Sequence, residues 1–187
     1  MSVNQPKRVR VLLANTWTKL SGLIGIILGV AALDQLSKVW AVHFLADKLS
    51  VEVLGRFLML TLVYNEGGAL GISIGSSTYY LVSSILILIF VLYYLFVNRN
   101  SARIAYPLAF TAGGAVGNII DRIRLGKVID FLDVDFFDVN LFGYHLDRWW
   151  TFNVADAAIS CSIVFLLVSV FLTRRRHAAD PQESVAD

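Results

Sequence analysis

The 187-residue chain is 57% hydrophobic and only 16% charged, with a mean hydropathy of +0.66. A soluble domain of this length cannot conceal so much apolar surface, so the composition selects an α-helical integral membrane protein. The formal net charge of +2, with no basic stretch interleaved with aromatics, excludes nucleic acid as a partner.

Four apolar segments are predicted as transmembrane helices: Leu20–Val42, Thr78–Val97, Ile104–Ile120 and Phe152–Leu172. Each is close to the roughly 17–25 residues that cross a bilayer core. The first is too long for the ~7–15-residue apolar core of a secretory signal, and no small-x-small cleavage site follows it. It therefore reads as a retained helix. Beyond it, Ser50–Asn65 places apolar and β-branched residues on both sides of Gly55-Arg56, the pattern of a hairpin or small sheet on the membrane surface. The third segment carries Pro107 and several glycines, so its ends are the hardest to place. After it, alternating Asp and Phe or Val residues suggest a strand, and Trp149 and Trp150 suit an interfacial belt before the fourth helix. Cys161, the single cysteine, cannot form an intramolecular disulfide and is most simply a small packing residue.

Lys and Arg set the orientation. Lys7, Arg8, Arg10 and Lys19 precede the first helix, Arg99 and Arg103 lie between the second and third, and Arg174–Arg176 follow the fourth. The positive-inside tendency puts these regions and both termini in the cytoplasm. The longer connections, His43–Ser77 and Asp121–Thr151, then face outward with most of the acidic residues. Residues 1–176 read as one membrane-embedded domain and 177–187 as a polar, disordered tail.

Several polar residues sit where a bilayer disfavours them. Asp34 and Lys38 are four apart on one helix face and can pair, either to set helix rotation or to serve a site. Gly113 and Gly117 form a small-residue face for close helix packing, followed by Asn118, Asp121 and Arg122. Asp121 at a helix C-terminus is opposed by the dipole and needs a cation such as Arg122 or Arg124. Arg122 also offers a rigid fork of donors suited to a carbonyl.

Asp130 is flanked by apolar residues, unlike the more solvated Asp133, Asp135 and Asp138, and its surroundings favour the protonated form. Asn153 and Asp156, three apart, resemble a capping box at the start of the fourth helix. Capping alone explains that spacing. The predicted topology, however, brings Asp130 and Asp156 to the same membrane boundary, where two carboxylates sharing a proton can activate water against a peptide carbonyl. A serine mechanism is weaker: Gly71-Ile-Ser-Ile-Gly75 matches G-x-S-x-G without the strand–turn–helix that motif requires. No H-E-x-x-H occurs, and three scattered histidines make no metal site.

The four-helix layout with Asp34–Lys38 (DQLSK), Asn65–Gly71 (NEGGALG), Gly117–Arg122 (GNIIDR), Val128–Phe131 (VIDF) and Phe152–Asp156 (FNVAD) resembles lipoprotein signal peptidase, the signal peptidase II family. The resemblance runs from the first helix to the fourth. It implies an aspartic endopeptidase of the bacterial inner membrane that cleaves diacylglyceryl-modified prolipoproteins before the lipidated cysteine. Asp130 and Asp156 would be the catalytic pair, and Asn65, Asn118, Arg122 and Asn153 would bind substrate. Asp34, Lys38, Asp121 and Gly117 would support them. An extracytoplasmic β-cradle and an outer flap are implied, as are inhibition by globomycin, no metal or cofactor, and contact with membrane lipids. A monomer is expected. Two departures stand out: the Asp130–Asp156 connection is several residues longer than usual through Asp133–Gly143, and Gly68 replaces a common alanine. The competing readings are a small proton-coupled transporter, whose relay would need ionisable groups at mid-depth, and a structural scaffold.

Overall fold

The computed structural model describes residues 5–67, 76–135, 139–141, 144–146 and 150–179. Helix α1 (Gln5–Leu45) leads into strands β1 (Val51–Leu54) and β2 (Leu58–Asn65). Helices α2 (Ser77–Val97) and α3 (Ala102–Leu125) follow, then β3 (Val128–Val134), the short strands β4 (Val139–Leu141) and β5 (Tyr144–Leu146), and α4 (Val154–Ala179). The expected helices are all present and longer than their apolar cores. The G-x-S-x-G match at 71–75, Gly68, Asp138, Trp149, and 180–187 of the tail lie outside the described residues.

Three stretches are long and apolar enough to cross a membrane: Lys19–Leu45, Ser77–Val97 and Val154–Leu172. Helix α3 is not among them, and its position explains why. It packs against α1, α2 and α4, and buries Ala105, Ala109, Ala112, Gly113, Gly117, Asn118 and Asp121 among others. A helix enclosed by protein has no need of a lipid-compatible surface. Its neighbour α2 buries only Val91 and Leu95 and leaves Leu86, Ile87, Ile89 and Phe90 exposed. Cys161, expected to pack, is exposed on α4.

Two stripes four residues apart hold α3 parallel to α1. A Cβ on Gly113 would lie 2.7 Å from Val30 Cβ and 2.8 Å from the Ile27 carbonyl oxygen. A Cβ on Gly117 would overlap the Asp34 carboxylate. One turn on, Asp121 pairs with Lys38. On the opposite side, a Cβ on Gly114 would lie 2.6 Å from the Ala155 carbonyl oxygen of α4. These glycines set how closely the backbones approach, which is the main source of helix association in a bilayer.

Strands β1, β2 and β3 form an antiparallel sheet in that order. The hairpin expected around Gly55-Arg56 is β1–β2, with Gly55 in the left-handed region at φ +54°. Between Leu60 and Val63 the β2–β3 register shifts by one residue, so that Val63 faces Asp130 and Asn65 faces Val128. Such a bulge re-aims side chains. Here it brings Asn65, on the same strand face as Val63, diagonally onto Asp130. The long connection after β3 folds into the β4–β5 hairpin, the additional strand pair that this segment has room for. The chain then returns to β3, where Phe152 N–H donates to Leu132 O at 2.9 Å and Phe152 O accepts from Phe131 and Leu132. Phe131 anchors the sheet by packing on Ala41 and Leu45 at the end of α1.

Candidate active site

Every residue expected at the site converges where α1, α3, the β2–β3 pair and the start of α4 meet. Asn153 caps α4: its Oδ1 accepts from the Asp156 N–H at 2.9 Å, and its carbonyl accepts from the Ala157 N–H at 3.1 Å. The cap is the reason Asp156 occupies the first turn, where the helix dipole favours a carboxylate. The neighbouring Ala155 N–H is satisfied from another helix, by Asp34 Oδ1 at 2.9 Å.

The Asn153 amide nitrogen also turns toward β3. It donates to Asp130 Oδ1 at 2.7 Å, with Asn118 Oδ1 at 3.1 Å and the Ile129 carbonyl at 3.2 Å sharing its hydrogens. Asp130 Oδ2 accepts from Asn65 Nδ2 at 3.0 Å. Asp156 Oδ1 accepts from Asn118 Nδ2 at 2.8 Å. The two carboxyls are thus joined through Asn118 and Asn153, with Asn65 holding the far oxygen of Asp130. Burial, reinforced by the negative charge of Asp156 and opposed by the two amide donors, pushes the Asp130 carboxyl up to about 7. Asp130 is buried, as its apolar flanks led one to expect, whereas Asp156 is half-buried.

Arg122 is half-buried in the last turn of α3, within electrostatic reach of Asp156, Asp130 and Asp121. Among the described residues it forms no ion pair within 4.0 Å. A guanidinium facing two carboxyls in this state is able to meet a developing negative charge on a third group.

Behind the carboxyls lies a second polar cluster. Asp34 and Lys38 pair at 2.8 Å, as their spacing suggests. The cation serving Asp121 is also Lys38, at 2.8 Å, and neither Arg122 nor Arg124. The correction has a geometric cause: Asp121 faces α1 along the Gly113–Gly117 stripe, away from its own helix's arginines. Asp121 Oδ2 additionally accepts the Ile129 N–H at 3.1 Å, fixing the start of β3 beside Asp130. Gln35 is a member that sequence reasoning misses. Its Nε2 reaches Asp121 Oδ1 at 2.9 Å and Gly117 O at 3.1 Å, and its one signal is its place inside the Asp34–Lys38 run. Asp133 also departs from expectation. It is only 9% exposed and accepts from Thr61 Oγ1 at 2.9 Å, a β2 partner no local pattern reveals.

Two carboxyls linked through a chain of amides, beside an arginine outside any ion pair among the described residues, suit acid–base hydrolysis. The buried ionisable groups gather at one end of the bundle; the mid-depth groups that a transmembrane relay requires do not occur among the buried residues described.

A sequence model of the Signal peptidase (SPase) II family matches residues 26–172. A lipoprotein signal peptidase of Pelodictyon phaeoclathratiforme (strain DSM 5477 / BU-1) is 35% identical over 145 residues, covering 76% of this chain and 86% of that protein. That of Chlorobium phaeobacteroides (strain BS1) is 36% identical over 149 residues, covering 78% and 94%. A solved chain described as "Bacterial membrane enzyme structure by the in meso method at 2.3 A resolution" matches with a TM-score of 0.65 at 29% identity, covering 81% of this chain and 88% of that one.

Proposed function

Because this chain belongs to the signal peptidase II family, we propose that Asp130 and Asp156 are the pair with which it hydrolyses its substrate. It is a bacterial membrane protease that removes signal peptides from prolipoproteins, and the transporter reading gains no support from its relatives. The observation that carries the assignment is the continuous bonding of Asp130, Asn153, Asn118 and Asp156, with Asp130 titrating at about 7.

In the proposed reaction Asp156, as carboxylate, takes a proton from water. The water oxygen attacks the carbonyl carbon of the residue preceding the diacylglyceryl cysteine. Asp130 begins protonated and hydrogen-bonds the carbonyl oxygen, while Arg122 meets the oxyanion that forms. When the tetrahedral intermediate collapses, the C–N bond breaks, and the proton held by Asp156 passes to the departing cysteine nitrogen. Asn65, Asn118 and Asn153 hold both carboxyls at the geometry this requires. The half-buried setting limits competing water.

Helix α3 is the fourth span in this reading, both termini are cytoplasmic, and the sheet lies on the extracytoplasmic face of the inner membrane. A lipidated substrate keeps its acyl chains in the bilayer, so its scissile bond belongs at that boundary. Residues 1–176 act as one domain and the enzyme works as a monomer. A globomycin-type cyclic peptide, competing for the same groups, inhibits it.

The test is cleavage of a purified diacylglyceryl prolipoprotein by wild type, Asp130→Asn and Asp156→Asn. Each variant should stay folded and lose roughly 10²–10⁴-fold in turnover. Near-wild-type cleavage by either one overturns the pair. Asp121→Asn should lose stability and keep measurable turnover. If it alone abolished chemistry in a folded protein, Asp121 would replace one of the two.

A further inference from the structure

Lys38 lies within the α1 span, 1% exposed, with an ammonium that has three protons and three acceptors. Asp34 Oδ2 and Asp121 Oδ2 each sit 2.8 Å away, and Asn118 Oδ1 sits 2.9 Å away. Two of these are the ion pairs described above. The third has a different consequence, because Asn118 is an amide with two unlike ends. Its Oδ1 receives both Lys38 and Asn153, and its Nδ2 donates to Asp156 Oδ1. Turning the amide over would aim an N–H₂ at an ammonium and at another amide nitrogen. It would also set a carbonyl oxygen against a carboxylate. Neutralising two acids would require only a cation nearby; it would not require that cation to bond an amide on the reacting side.

We propose that Lys38 is a positioning residue of the hydrolysis: by fixing the orientation of the Asn118 amide, it keeps an N–H permanently on Asp156. The inference rests on the assignment of Asp130 and Asp156 as the reacting pair. With that donor held, Asp156 Oδ1 stays engaged as an acceptor, the state that a carboxylate base requires. Lys38 itself, with every proton engaged, transfers none. The other charged or titratable groups facing the pair are Asp34 on α1, Asp121 and Arg122 on α3, and Tyr80 on α2 beside Arg122. None of these four contacts Asn118 Oδ1 among the described hydrogen bonds.

Lys38→Met alone would strand two buried carboxylates and destabilise the protein for reasons unrelated to the amide. The informative variant is therefore Lys38→Met combined with Asp34→Asn, which removes one charge of each sign. The amide introduced at position 34 retains an oxygen for the Ala155 N–H, and Asp121 retains Gln35 and the Ile129 N–H. Asp34→Asn alone is the control, and Lys38→Gln combined with Asp34→Asn, which keeps a neutral donor at position 38, should recover part of the lost kcat by bonding Asn118 Oδ1.

With a diacylglyceryl prolipoprotein as substrate, the double variant should keep KM and lose about 100-fold in kcat relative to Asp34→Asn. The acid limb of its kcat–pH profile should move up by about one pH unit, because a released amide accommodates a protonated Asp156. A purely structural role for Lys38 would move neither the profile nor kcat at constant KM. Equal kcat and superimposable profiles for the double variant and its control overturn the proposal. So does loss of the fold in both Lys38 variants, which would make Lys38 a folding residue. Failure of the underlying pair is recognised separately, by turnover in Asp156→Asn.

Discussion

Helices α2 and α3 are neighbours and make opposite use of their side chains. Helix α2 is the most apolar of the candidate spans and almost none of it is buried in protein. From Gly113 onward, helix α3 carries three glycines, an asparagine, an aspartate and two arginines, and it is enclosed by the other three helices. In water the buried helix would be the greasy one. In a bilayer the greasy surface is already solvated by lipid, so what marks the protein interior is smallness and polarity. The site is built on the helix that lipid tolerates least.

Four substitutions would break or sharpen that contrast, and the largest effect belongs to the interior. Gly117→Val places a branched side chain on the Asp34 carboxylate, which cannot yield without leaving Lys38. The loss should be about 3–5 kcal/mol in detergent unfolding, together with turnover. Next is Asp130→Asn, measured against pH. The carboxyl titrates at about 7 in the folded protein and near 3.8 unfolded, so between those values the folded state binds the extra proton. The stability that Asp130 contributes to the wild type therefore falls as pH rises from about 4 to about 7. The variant has no such dependence, and Asn65 can turn its amide to suit the new side chain. The variant's stability relative to wild type should be greater at pH 8 than at pH 4 by a few kcal/mol, since each pH unit between the two titrations is worth about 1.4 kcal/mol. A constant difference would mean that Asp130 is not held protonated.

Gly114→Ala follows. Its new methyl would press on the Ala155 carbonyl and part α3 from α4, for about 1–3 kcal/mol. Helix α2 supplies the smallest effect: Leu86→Ala, on a lipid-facing surface, should change stability by less than about 0.5 kcal/mol. A large loss there would show that α2 holds the bundle together more than its burial indicates.

What is legible in the sequence follows the same division. The apolar cores announce the helices because lipid acts on every exposed residue alike. The Asp34–Lys38 pair is legible because four residues along one helix is a local distance. The need of Asp121 for a cation can be read locally, but the cation cannot, since it lies on a different helix and not among the adjacent arginines. Asp133 looks solvated in sequence because its partner Thr61 is on another strand. For Asp130 and Asp156, local chemistry allows a strand-edge acid and a helix cap, and the cap is indeed there. Their shared membrane boundary in the predicted topology raises the pair above those readings, and the resemblance of five ordered motifs names its role. The bulge in β2 that turns Asn65 toward Asp130 leaves no sequence signal at all.

The paired stripes of α1 and α3 also bear on how the protein is made. The second half of α3, with Asn118, Asp121 and Arg122, partitions poorly into hydrocarbon when it stands alone. It becomes a tolerable guest only where α1 offers Lys38 and the space above Asp34, and where α4 offers the capped turn that receives Asn118. In the proposed four-span topology, residence of α3 in the membrane is thus conditional on the same contacts that assemble the site. A chain whose third helix has settled across the bilayer has, by that fact, already brought its acids together.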